Sequence, residues 1–155
     1  MINNKKYILS ALAAALVASS SVAVAQEYSS DNACSYEFRD AVRLKEKGMR
    51  GRSSAIFEEL ARKTGETDPL ALSVLEDVVM QVPGYTARME DFVAACPHST
   101  YLPQIYFAYA SNLFDANDYD QASVYLDMVK MKHLYKDQGD EYLFKKAYCM
   151  LEKGD

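Results

Sequence analysis

Tryptophan is absent, and the 155 residues include only three cysteines, two histidines, four prolines and six glycines. Three cysteines are too few for a disulfide-stapled miniprotein. So little glycine and proline excludes a collagen-like or low-complexity chain. Cys34, Cys96 and Cys149 stand 62 and 53 residues apart with no CxxC, which excludes a thioredoxin-type redox motif and a zinc ribbon. His98 and His133 add too few ligands for a Cys/His metal site, so no metal is expected. Excess positive charge is missing too. The formal net charge is −5, and acid excess argues against a nucleic-acid partner. No GxSxG, HExxH, Walker or GxGxxG motif is present, and adjacent carboxylates such as Glu58-Glu59 and Glu90-Asp91 point about 100° apart on a helix. Neither an enzyme nor a cofactor is expected. Half the residues are apolar and a quarter charged, which is ordinary globular composition and, at this length, one domain or a short repeat array.

Residues 1–25 read as a secretory signal peptide. Lys5 and Lys6 form a positive start, Tyr7 to Ala18 is apolar apart from Ser10, and Ala23-Val24-Ala25 supplies small residues for cleavage. The apolar run is shorter than the ~20 residues a membrane span needs. Cleavage after Ala25 takes the formal charge from −5 to −7 by removing the two lysines. No later stretch is long and apolar enough to cross a bilayer, so an exported soluble protein is expected. Export would allow disulfides. Cys34–Cys96 is the pairing worth testing, and Cys149 reads as a small buried apolar residue.

After a short linker, 26–33, the chain reads as about seven helices. It lacks the alternation of a strand and the Asn-Gly signal of a hairpin. The first runs to about Lys47 and ends at Gly48, the second spans Arg52 to Lys63 and closes at Gly65, and Asp68-Pro69 is a cap-and-proline start for the third. A fourth spans Thr86 to Ala95, a fifth Tyr101 to Asp115, a sixth Tyr119 to about Met131, and a seventh Gly139 to Lys153. Connections this short make consecutive helices antiparallel hairpins.

The segment Tyr106-Phe107-Ala108-Tyr109-Ala110-Ser111-Asn112-Leu113-Phe114, then Asp118-Tyr119-Asp120-Gln121-Ala122 and Tyr125-Leu126 with Val129, resembles a tetratricopeptide repeat (TPR), a 34-residue helix-turn-helix unit. Ala110 and Ala122 take the small positions where the two helices cross, and Tyr106, Tyr109, Leu113, Leu126 and Val129 take the larger positions around them. Ala147 lies 37 residues after Ala110, flanked by Leu143 and Met150, and marks a partial unit over 140–155 beside the best unit, 103–136. Ala41, Leu44, Ser53, Phe57 and Leu60 fit a weaker first unit. The resemblance covers most of 34–155 and implies an all-α, right-handed solenoid of stacked hairpins, similar to the N-terminal part of long exported TPR proteins of Gram-negative bacteria. The last helix is either a solvating cap or the first half of a further hairpin.

The resemblance further implies a concave groove lined by the first helix of each hairpin. Its positions carry Gln104, Phe107, Ser111, Phe114 and Asp115 in the best unit and Glu141, Phe144, Tyr148, Leu151 and Glu152 in the last. Phe107, Phe114, Phe144 and Tyr148 would form an aromatic stripe suited to a protein or peptide partner. The expected function is a non-enzymatic interaction scaffold in the periplasm or at the envelope, with self-association through the last helix. A purely structural capping role and glycan binding are the alternatives.

Overall fold

The computed structural model describes residue 34 and residues 36–154; the leader and linker lie outside the described residues. The described chain is all-α. Its helices are α1 (36–46), α2 (Arg50–Thr64), α3 (Thr67–Met80), α4 (Tyr85–Ala95), α5 (Leu102–Asp115), α6 (Tyr119–Met128) and α7 (Gly139–Lys153), with two 3-10 turns at Met131–His133 and Lys136–Gln138.

Helix ends follow local chemistry. Gly48 and Gly65 adopt φ of +74° and +70°, the left-handed turn that ends α1 and α2 and strains any residue with a Cβ. Asn117 takes φ +63°, and the Asp118 carboxylate caps α6 by accepting from the Gln121 N–H at 3.1 Å. Asp68 is not a cap. Glu66 holds that position and α3 starts at Thr67, which puts Pro69 inside the first turn, where its missing N–H leaves no helical bond unmade. Helix α6 stops at Met128, short of Met131, because Val129 is extended.

The core comes in three sections that follow chain order. Ala41, Phe57 and Leu72 join α1, α2 and α3. Ala71, Val74, Leu75, Val78, Met89, Phe92, Leu102 and Ile105 join α3, α4 and α5. Phe107, Ala110, Ala122, Leu126, Val129, Tyr142 and Cys149 join α5, α6 and α7. Helices α3 and α5 each serve two sections. This explains why α3 is buried continuously from Ala71 to Val78: α2, α4 and α5 pack around it. Small residues sit at the tight crossings. Ser53 Oγ donates to the Ala41 carbonyl at 2.8 Å between α1 and α2, and Ser54 meets Ser73, 3.2 Å between hydroxyls, between α2 and α3. Ala110 and Ala122 are fully buried between α5 and α6, with Leu126 fully buried and Val129 nearly so beside them.

A tyrosine cluster seals the outer edge of α4, α5 and α6. The Tyr109 and Tyr125 rings meet edge-on at 4.7 Å, with Tyr106 6.0 Å from Tyr125 and Tyr85 6.0 Å from Tyr109. Burial pushes the phenols of Tyr106, Tyr109 and Tyr125 above their ordinary range. A phenol whose folded pKa is raised contributes stability below its unfolded value, about 10, and loses it as pH climbs through the folded value. Thermal melting should therefore hold steady to about pH 9 and fall above about pH 10. The double variant Tyr106→Phe/Tyr125→Phe should show a shallower fall. An equal fall in the variant would remove these phenols as its source.

Candidate functional site

One helical stripe of α5 carries Gln104, Phe107, Ser111, Phe114 and Asp115, the three- and four-residue spacing that lines up side chains along a helix. Helix α7 packs beside the C-terminal half of this stripe. There the Phe114 ring lies 5.4 Å from Tyr148, 6.1 Å from Phe144 and 5.3 Å from Tyr119, while Tyr148 also meets Tyr119 at 5.2 Å and Phe144 at 6.2 Å. Four aromatic rings from α5, α6 and α7 thus form one cluster. Phe144 remains 62% exposed, so the cluster opens to solvent at that ring.

Lys145 organises the charges around it. Its side chain is only 8% exposed; its ammonium lies 5.0 Å from the centre of the Phe114 ring, 3.4 Å from Asp115 and 3.1 Å from Glu141. The cation bridges the α5 C-terminus to α7, and its stem covers apolar surface. Asp115 and Glu141 stay largely exposed, and Glu152 lies in the open one turn beyond Tyr148. The Glu152 carboxylate and the Tyr119 hydroxyl hold the Tyr148 phenol above its ordinary pKa. The rim of the aromatic cluster is therefore net acidic.

The sequence-derived stripe is partly redistributed. Phe114, Phe144 and Tyr148 come together. Phe107 does not join them: it is 3% exposed and meets Tyr142 at a tilt, ring centres 6.3 Å apart, so it is core and no partner can reach it. Gln104 ties down the chain after α6, its Nε2 donating to the His133 carbonyl at 2.6 Å, while its Oε1 and Ser111 Oγ are buried without a hydrogen-bond partner. Ala147, expected at a packing crossing, is exposed, because α7 turns Tyr142, Lys145 and Cys149 inward and Ala147 away from them. Lys146 reaches α6, 3.1 Å from Asp127 and 3.2 Å from the Tyr142 hydroxyl, and Asp127 holds its pKa above the ordinary value. Cys34 and Cys96 are half-buried and not joined to each other; Cys149 is fully buried.

Two other polar regions escaped sequence reasoning. Glu76 is fully buried and 2.7 Å from Arg50, with Lys45 3.3 Å away, while neighbouring Asp77 is gripped by Arg88 and accepts from Ser54 at 2.8 Å. An open cleft of about 720 Å³ between the α4–α5 connection and the end of α6 is lined by both histidines, His98 and His133, with Lys130 and Tyr106. Among the described residues, no three His, Cys, Asp or Glu side chains are grouped to hold a metal ion, and no helix is long and apolar enough to cross a membrane. No family model, curated protein or solved structure matches the chain.

Proposed function

We propose that this chain is an exported helical-repeat scaffold of the TPR type, which holds a protein partner on the face shared by α5 and α7 in the periplasm or at the envelope of a Gram-negative bacterium. The core supports a stacked array: its sections follow one another along the chain, and α3 and α5 each join two of them. The observation that carries the reading is the open aromatic cluster of Phe114, Phe144 and Tyr148 beneath an acidic rim of Asp115, Glu141 and Glu152. An apolar floor with a charged edge selects a segment that presents an aromatic or aliphatic anchor beside lysine or arginine.

Selection of a random peptide library against the purified protein tests this directly. Enriched sequences should pair a large apolar residue with a basic one. Phe144→Ala is expected to weaken the selected peptides at least tenfold, as loss of a central aromatic anchor does. Glu152→Gln, which leaves both ion pairs of Lys145 in place, should mainly reduce the salt dependence of binding. No enrichment, or equal binding by a folded Phe144→Ala variant, would contradict the assignment.

A further inference from the structure

The outward side of α7 is more apolar than most solvent faces. Leu143 is 52% exposed, Phe144 62%, Met150 48% and Leu151 70%, and Ala147 lies exposed among them. The charged side chains of this stretch sit elsewhere: Lys145 is buried against α5 and Lys146 is held by Asp127 on α6. Helix α7 is thus apolar on two sides, with Tyr142 and Cys149 in the core beside buried Lys145 and a second apolar stripe facing out. The four large side chains leave on the order of 500 Å² uncovered in one contiguous stripe, the size of the largest apolar patch of an ordinary monomer, which is often a functional surface.

The arrangement of these residues is symmetric. Measured from Ala147 they fall at −4, −3, 0, +3 and +4: Leu143, Phe144, Ala147, Met150 and Leu151. A twofold axis through Ala147 that reverses the helix direction maps this set onto itself, giving the self-complementary patch an isologous dimer requires. Leu143 then faces the partner's Leu151, and Phe144 faces the partner's Met150. The smallest side chain falls on the axis, where two helices come closest. Antiparallel pairing separates Asp140 and Glu141 of the two copies, which a parallel pair would bring together, although it sets them near Glu152 at the opposite helix end.

We infer that α7 is a dimerisation helix whose occupant is a second copy of this chain, paired antiparallel about Ala147. The inference goes beyond the peptide-binding reading and uses the adjacent side of α7; the two faces share Phe144, which is left unaltered in the test, so peptide binding is read below ~1 µM, where the chain is monomeric. Pairing would bury about 1,000 Å² in total, at the lower limit of a specific interface, so association in the micromolar range is expected.

Sedimentation velocity of the full chain across about 1–100 µM, bracketing that affinity, should show a monomer–dimer equilibrium. Ala147→Glu places two charges on the axis and should weaken dimerisation at least tenfold, with the helical circular-dichroism signal retained. A cysteine scan reads the register, with Cys34 and Cys96 replaced by serine. Ala147→Cys should form a disulfide dimer under mild oxidation, Leu143→Cys alone should not, and Leu143→Cys mixed with Leu151→Cys should give the crossed dimer. A chain that stays monomeric at ~100 µM overturns the inference and leaves this face to a different protein. A dimer indifferent to Ala147→Glu, or crosslinking equally at 143 and 147, overturns it as well. Peptide binding by the Phe144 face is measured separately, so either result can fail alone.

Discussion

Arg50→Met should cost about 3 kcal/mol of folding stability, more than its half-exposed side chain suggests. The reason lies in its partner. Glu76 is fully buried between α2 and α3, with Arg50 2.7 Å from one carboxylate oxygen. Lys45 stands 3.3 Å from the other without making a hydrogen bond. Removing Arg50 leaves a buried carboxylate with one poorly aligned cation, and an uncompensated buried charge is expensive. The double variant Arg50→Met/Glu76→Met removes both charges and should recover much of the loss. Urea unfolding of the three proteins tests this through their midpoints. A double variant as unstable as Arg50→Met alone would mean that lost packing, rather than the stranded charge, sets the cost.

The second large effect is expected at Ala122. Its methyl group is fully buried where α6 crosses α5, opposite the fully buried Ala110. Ala122→Leu would insert three heavy atoms into a crossing with no room, at a cost of about 2–3 kcal/mol as the helices move apart or Leu takes a strained rotamer. Ala147→Leu is the matched control. It adds the same atoms at an exposed position of α7 and should leave the unfolding of the monomer within about 0.5 kcal/mol.

The helices were largely legible before the structure. Apolar periodicity, Gly48 and Gly65 located most ends to within two residues, and the small residues Ala110, Ala122, Ser53 and Ala41 marked points of close contact. Sequence patterns fail where the answer depends on a distant helix. Phe107 and Phe114 lie seven residues apart on one face of α5 and look equivalent. Only the angle at which α7 arrives makes Phe107 core and leaves Phe114 in an open cluster. Ala147 has the same cause, since its helix presents Tyr142, Lys145 and Cys149 inward. Nothing in the sequence marks Glu76 and Asp77 as buried, because their cations, Lys45, Arg50 and Arg88, come from α1, α2 and α4. Nothing in the sequence singles out Lys145 either, since its burial follows from Asp115 and Phe114 about thirty residues upstream.

The proposed repeat array requires cohesion that runs from each hairpin to the next, without one shared centre. Residue-resolved amide hydrogen exchange on Ala122→Leu, against the unaltered protein, reads that property most directly. Protection should drop sharply in α5, α6 and α7 and change little in α1 and α2, whose apolar contacts lie in a separate section with α3. A uniform loss of protection over all seven helices would contradict the account and describe one indivisible bundle.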